Sequence, residues 1–145
     1  LYLTEVMYSP ENNGFGYEWI EFYNPNNVAI FVNRWSIADT EEKDNIIPEE
    51  NEIITIPAKS VGILTSSPST FKQAYLDYKY LFAVEDLAIG NGLGTTETII
   101  LSKGSYNDVF SYTSDDGANG NGKTLARSCY DCADWNEAVS SPGSL

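Results

Sequence analysis

Two carboxylates, Glu18 and Glu21, stand three residues apart in the stretch EWIEFYNPNN, residues 18–27. A pair of acids can cleave a glycosidic bond when both flank that bond from one site. The aromatic and β-branched side chains of this stretch, and Pro25 near its end, favour a strand over a helix. Side chains three positions apart on a strand point to opposite faces, so the two glutamates are predicted not to share a site. Glu21 then needs a cation or backbone N–H groups among its aromatic neighbours.

Cys129 and Cys132 form a C-x-x-C pattern, the spacing of redox sites and of half a zinc site. The chain has no other cysteine and no histidine that could complete a zinc site. A thioredoxin-like site would follow a βαβ pattern, which is not visible here. We predict a local disulfide that pins the C-terminal segment, with free buried thiols as the alternative.

The segment GANGNGKT, residues 117–124, matches the phosphate-binding P-loop pattern letter for letter. In a true P-loop the segment follows a buried parallel strand and opens a helix, so that backbone amides wrap the phosphates. Here Asp115 and Asp116 place two negative charges in front of it, and the surrounding strands do not alternate with helices. The segment is therefore interpreted as a glycine-rich turn, and nucleotide binding is not expected.

An acidic stretch lies between residues 39 and 44. Asp39, Glu41 and Asp44 are the candidates for a weak surface cation site, because hard cations such as calcium need only several oxygens within reach. No other metal and no cofactor is predicted.

The charge of the whole chain limits its partners. Asp and Glu number 21 against 8 Lys and Arg, a formal net charge of −13. Such a surface repels phosphate backbones and anionic lipids, so nucleic acid is not an expected partner. The absence of histidine removes the commonest general base, and no nucleophile with an activating partner is evident. The sequence therefore predicts a protein that is not an enzyme.

The elements that must position these residues are mostly short strands. Runs rich in Val, Ile, Tyr, Phe and Thr alternate with turn residues, which is typical of a sandwich or barrel. The nine predicted strands are Tyr2–Tyr8, Tyr17–Asn24, Val28–Val32, Trp35–Ala38, Ile53–Ile56, Val61–Thr65, Tyr80–Val84, Glu97–Ser102 and Asp108–Thr113. A capping Ser67 and a first-turn Pro68 predict a short crossover helix that continues towards Tyr78. No apolar run is long enough to span a membrane.

Short blocks spread over nearly the whole chain form a combined pattern. They are LTEV (3–6), EWIEFYNP (18–25), WSIAD (35–39), residues 56–64, GKTLAR (122–127), Trp135 and Pro142-Gly143. In this combination the chain resembles the lamin tail domain family. The resemblance implies an immunoglobulin-like β-sandwich without catalytic residues, consistent with the all-β strand pattern. The matching positions with implied structural roles are Glu21, Asn24, Trp35, Leu125 and Arg127.

Two positions depart from the family pattern. Arg34 stands where the family often has Gly before the tryptophan, and Ala126 stands where it often has Glu. The first departure concerns the geometry of a turn, and the second removes a charge next to Arg127. We predict that Arg127 neutralises a buried carboxylate, Glu21 first and Glu5 second.

The resemblance also implies a function. We predict a non-enzymatic interaction or tethering module of a secreted or cell-surface prokaryotic protein, whose partner is a protein or a cell-envelope component. A monomer or weak oligomer is expected. The start at Leu1, without a methionine or an apolar leader, predicts that residues 1–145 are a single lamin-tail-like domain excised from a longer secreted or surface protein.

Two alternatives stay open. The first is a calcium-assisted or carbohydrate-binding module that uses exposed aromatic rings. Its candidate residues are Tyr78, Tyr80, Tyr106 and Tyr112, for which packing in the core and at its rim is the structural interpretation. The second and more remote alternative is an accessory domain of a hydrolase.

Overall fold

The computed structural model describes residues 1–11, 17–49, 54–75 and 78–144. Twelve strands and one α-helix form in these residues. The strands are β1 (Tyr2–Met7), β2 (Trp19–Asn24), β3 (Ile30–Phe31), β4 (Ser36–Ala38), β5 (Lys43–Pro48), β6 (Thr55–Ile56), β7 (Ser60–Thr65), β8 (Leu81–Val84), β9 (Thr96–Lys103), β10 (Tyr106–Thr113), β11 (Lys123–Arg127) and β12 (Trp135–Val139). The helix, α1, spans Pro68–Tyr75, and a 3-10 turn spans Ser114–Asp116.

The prediction of an all-β chain with one short helix is confirmed for the described residues. A strand is present at each of the nine predicted places, with ends that differ by one or two residues. Ile53, the first residue of the fifth predicted strand, lies outside the described residues, as do residues 76 and 77 after the helix. Strands β5, β11 and β12 were not predicted from the sequence.

Ten of the strands form one sheet in the order β10-β9-β4-β5-β8-β7-β2-β1-β11-β12, and β3 pairs with β6 in a small second sheet. Neighbouring strands are antiparallel except β7 and β8, which are parallel. A parallel pair cannot be joined by a hairpin, and α1 supplies the longer connection between these two strands. The predicted crossover helix is therefore confirmed.

The large sheet curls so that its two ends come together. Strand β10 stands at one end of the strand order and β12 at the other. The rings of Phe110 on β10 and Trp135 on β12 stack with their centroids 3.6 Å apart. Two strand edges that carry no further partner among the described residues thus face each other across a gap.

Side-chain alternation along β2 separates two apolar clusters. Ile20 and Phe22 enter the main cluster inside the curled sheet, whereas Trp19 packs on the other face. There it contacts Phe71 of α1 edge to face, with ring centroids 6.1 Å apart. The helix therefore covers the outer face of the sheet, as the strand periodicity of this stretch requires.

The helix is too short to cross a bilayer. It has eight residues, and no helix in the described part of the chain is long and apolar enough to do so.

Candidate binding cleft

A cleft of about 850 Å³ opens where the two ends of the sheet meet. One wall is the stretch 108–111 of β10, and the other is the stretch 131–136, which joins β11 to β12 and begins β12. Tyr2, Asp116 and Arg127 also belong to the lining. The cleft thus lies between two strand edges that come from opposite ends of one sheet.

Arg127 holds the two walls together. Its guanidinium forms a two-point ion pair with Asp108 of β10, with both N–O distances at 3.2 Å, and also donates to the carbonyl of Tyr130 at 2.8 Å. The guanidinium carbon lies 5.0 Å from the centre of the Trp135 ring. The side chain of Arg127 is only 6% exposed, so the pair is largely removed from water. These contacts fix β10, β12 and the intervening loop relative to one another.

The predicted pairing of Arg127 with Glu21 or Glu5 is wrong, and strand alternation explains why. Glu5 lies directly opposite Glu21 on one side and opposite Ala126 on the other. Directly opposite residues share one face of a sheet, so both glutamates lie on the face of Ala126. Arg127 follows Ala126 and therefore projects to the opposite face, where Asp108 is found.

Neutral donors satisfy Glu21 and Glu5 instead. Glu21 accepts from the hydroxyl of Thr4 at 2.7 Å and from the backbone N–H of Gly143 at 2.8 Å. Glu5 accepts from the N–H and the hydroxyl of Ser141 at 2.9 and 3.0 Å. Burial, reinforced by the nearby charge of Glu5, raises the pKa of Glu21 to about 7. Both acids fasten the C-terminal segment to the sheet.

Glu18 lies in a different environment from Glu21, as expected for two residues on opposite faces of a strand. Its carboxylate accepts from the backbone N–H of Leu93 at 3.1 Å, whereas the partners of Glu21 are Thr4 and Gly143. Burial raises the pKa of Glu18 to about 7. The structure does not bring the two glutamates into one acid pair.

Asp39 organises the acidic turn through hydrogen bonds from backbone N–H groups. One of its oxygens accepts from the backbone N–H groups of Glu41 and Glu42 at 2.8 and 2.7 Å. The other accepts from the N–H of Asn91 at 2.9 Å. A carboxylate that bonds the N–H groups following it is the usual device of an Asx turn. Glu41, in turn, accepts from the side-chain amide of Asn91.

The cluster of acids at this turn differs from the predicted set. Asp44 is buried. Its carboxylate has an oxygen within 4.8 Å of oxygens of Glu42 and Asp86. Among the described residues, the predicted set of Asp39, Glu41 and Asp44 does not form such a cluster. Burial, with repulsion from Asp86 and Glu42, raises the pKa of Asp44.

Cys129 and Cys132 are joined by a disulfide, with their Cα atoms 5.1 Å apart. The backbone N–H of Cys132 donates to the carbonyl of Cys129 at 3.0 Å, which makes the intervening residues a tight turn. This turn includes Tyr130, whose carbonyl binds Arg127. The disulfide therefore stiffens the loop that forms one wall of the cleft.

The glycine-rich loop binds a carboxylate of the same chain. Glu137 accepts from the backbone N–H of Ala118 at 2.7 Å and from the side-chain amide of Asn121 at 2.9 Å, and it pairs with Lys123 at 2.6 Å. These donors, Ala118 first, lower the pKa of Glu137 to about 2. A strand, β11, follows the loop where a P-loop would open a helix. This geometry accords with the interpretation as a turn.

Three other residues with predicted structural roles are Asn24, Trp35 and Leu125. The side-chain amide of Asn24 lies 2.8 Å from the carbonyls of Val28 and Pro57 and 3.1 Å from that of Ile56, so its two N–H groups serve three carbonyls in β6 and the adjoining segments. Trp35 and Leu125 lie in the main apolar cluster.

The four tyrosines do not form an exposed platform. Tyr112 is only 2% exposed, and its hydroxyl donates to the carbonyl of Gly94 at 2.9 Å, so its interpretation as a core residue is confirmed and it is not the exposed ring of the alternative. Burial raises its pKa. The hydroxyls of Tyr78 and Tyr106 also bond backbone carbonyls, and the half-buried Tyr80 packs against Tyr78. These rings serve the core and its rim.

Asp108 was not singled out from the sequence, although a signal exists. In β10 it shares the inward face with Phe110 and Tyr112, since these positions alternate along a strand. A carboxylate on the apolar side of an amphipathic strand needs a partner, and Arg127 provides it.

The chain was compared with family models, curated proteins and solved structures. No family model, no curated protein and no solved structure matches it. Inference about function therefore depends on the residues of the cleft.

Proposed function

We propose that this chain is a non-enzymatic interaction or tethering module of the lamin tail type, from a secreted or cell-surface prokaryotic protein. The proposal places its binding surface in the cleft between β10 and the β11–β12 connection. The observation that carries it is the structure of this cleft. The ion pair of Arg127 holds its two walls together, and the space between them has a volume of about 850 Å³. Preformed concave surfaces of this size are the usual sites of ligand recognition.

The serines of the cleft support a role without catalysis. A serine nucleophile needs a base within hydrogen-bond reach. Ser111 pairs instead with the hydroxyl of Thr98 at 2.8 Å, and the hydroxyl of Ser128 accepts from the side-chain amide of Asn136 at 3.0 Å. Neither partner can act as a base. Asp108, the most buried acid of the cleft, is already neutralised by Arg127.

The backbone at Arg34 supports the lamin tail resemblance. Arg34 has a φ of 68°, in the left-handed region that glycine adopts most readily. It occupies the position where lamin tail domains often have Gly. This chain thus has at this position the left-handed backbone conformation that a Gly would favour, although the residue is Arg.

The curl of the sheet supports the proposed immunoglobulin-like arrangement. The backbone N–H of Leu3 on β1 donates to Asp108 on β10 at 2.6 Å, although the two strands are far apart in the strand order. Two parts of the sheet therefore face each other across the main cluster, as the two layers of a sandwich do.

The proposal is tested by capture. The chain, immobilised on beads, is incubated with solubilised cell-envelope fractions of the source organism. We expect it to retain a protein or envelope polymer, and the double variant Asp131→Asn, Asp134→Asn to retain less. The double variant Glu42→Gln, Asp86→Asn removes the same number of charges outside the cleft and should retain as much as the parent.

A parallel assay covers the competing functions. The free chain is incubated with glycoside, ester and peptide substrates, and we expect no turnover. Turnover without any captured component would overturn the proposal. Capture of a glycan that requires added calcium would favour the carbohydrate alternative instead.

A further inference from the structure

We infer that the cleft takes an extended protein segment rich in lysine or arginine, which adds to the free edge of β10. This inference rests on the proposed function, because it names the class of partner for the same cleft. Two features carry it: the free strand edge of β10 and the charges of the residues that line the cleft.

The edge of β10 is open along the cleft. Within the described residues β10 pairs with β9 alone, and its stretch 108–111 forms one wall. An unpaired strand edge presents a row of N–H and C=O groups that an extended segment can match, which is the basis of recognition by strand addition. Val109 in this stretch is 49% exposed, so its side chain is accessible to a docked segment.

The charges of the lining select a cationic segment. Four carboxylates, those of Asp108, Asp116, Asp131 and Asp134, line the cleft against the single guanidinium of Arg127. That guanidinium is already paired with Asp108, which leaves three exposed acids without a cation in the lining. A cationic segment gains from this field, and an acidic one would add like charges.

The distribution of polar groups favours a polypeptide over a simple polyamine. The N–H groups on the free edge of β10 have no strand partner among the described residues. The carbonyls of a docked backbone can accept from these N–H groups, whereas a polyamine has no such acceptor. The stacked rings of Phe110 and Trp135 keep the wall fixed before the segment arrives.

The test uses a fluorescein-labelled peptide of alternating lysine and threonine, about six residues long as in a common strand. Fluorescence anisotropy measures its binding to the chain at low and high salt. We expect saturable binding, weakened about ten-fold by combining Asp131→Asn with Asp134→Asn and by Val109→Lys, since each change makes the cleft less negative. The matched pair Glu42→Gln, Asp86→Asn and the neutral change Val109→Thr should leave the affinity within about two-fold.

Two further ligands separate strand addition from charge attraction. The same peptide with alternate backbone amides N-methylated keeps its charge but loses donors, and spermine is a cation without carbonyls. We expect both to bind at least about ten-fold more weakly than the parent peptide. Equal binding of either ligand, equal binding of a glutamate–threonine peptide, or indifference to the cleft variants would overturn the inference.

Failure here is distinguishable from failure of the proposed function. A captured envelope component that depends on Asp131 and Asp134, together with no binding of the basic peptide, would leave the interaction module standing and exclude this occupant. Loss of both results, with turnover of a substrate, would reject the two proposals together.

Discussion

Glu5 and Glu21 lie directly opposite each other on β1 and β2, and both carboxylates hold the same short segment near the C-terminal end. Glu5 binds Ser141 and Glu21 binds Gly143. Two buried acids side by side repel each other, and this repulsion adds to burial in raising the pKa of Glu21. The segment is therefore attached in part through Glu21, whose pKa is raised to about 7.

We expect the contribution of Glu18 and Glu21 to the free energy of unfolding to fall as the pH rises from about 5 to about 8. The pKa of each is raised from 4.5 to about 7, chiefly by burial. Between these values the folded chain binds more protons than the unfolded chain, so a rise in pH favours unfolding. Urea unfolding across this pH range measures the effect.

The control for this prediction is the double variant Glu18→Gln, Glu21→Gln. Burial also raises the pKa of Asp44, so the parent and the variant must be compared at each pH. The variant should gain stability relative to the parent as the pH rises. A difference between the two that stays constant across the range would contradict the assignment.

Replacing Arg127 by Ala should lower the free energy of unfolding by about 3 kcal/mol, because it leaves the carboxylate of Asp108 largely buried without its cation. A double-mutant cycle with Asp108→Asn should show that the two side chains are coupled. The same cycle with Glu21→Gln should be nearly additive, since Glu21 lies on the opposite face. A stronger coupling of Arg127 to Glu21 than to Asp108 would refute the pairing.

Replacing Arg34 by Gly should raise the free energy of unfolding by up to about 1 kcal/mol. Its φ of 68° is strained for an L-residue, and the relief is partly offset by the greater freedom of Gly in the unfolded chain. Arg34→Ala keeps the strain and serves as the control. Melting temperatures of the two variants should differ in favour of Gly, and an unstable Gly variant would count against the strained backbone.

Removing the disulfide by Cys129→Ser and Cys132→Ser should lower the free energy of unfolding by roughly 2 kcal/mol or less, because the loop that it closes is short. It should also weaken binding of the basic peptide, because the loop carrying Tyr130 becomes less restrained beside Arg127. Reducing agent added to the parent chain should reproduce both effects. Unchanged peptide binding would show that the loop does not shape the cleft.

Local patterns in the sequence were sufficient for most of the strands. The aromatic and β-branched residues around Ile20 and Phe22, with Pro25 after them, predicted the strand, and the alternation of side chains along a strand then predicted the separation of Glu18 from Glu21. Strands β5, β11 and β12 were not predicted, because they are rich in polar and charged residues and border the acidic turn or the glycine-rich loop. Their pairing depends on neighbours in the sheet more than on their own composition.

The cleft could not be predicted because it depends on how the sheet curls. Asp108 and Arg127 meet only when the first and last strands of the sheet order come together. Sequence periodicity gives the face on which each side chain lies but not which distant strand that face meets. The structural role of Asp39 in the acidic turn could not be predicted for a related reason, since it uses its oxygens on backbone N–H groups that a composition argument does not show.

The pairing of β1 with β11 has a consequence for the order in which the chain folds. Glu5 lies opposite Ala126, so most of the polypeptide must be synthesised before this register can close. During translation β1 can pair with β2 early, yet its other edge stays open and prone to wrong partners. The carboxylates of Glu5 and Glu21 acquire their last donors only when Ser141 and Gly143 arrive. In a nascent chain that stalls before these residues, both buried carboxylates would lack some of their hydrogen-bond donors. This difference distinguishes the incomplete chain from the folded one.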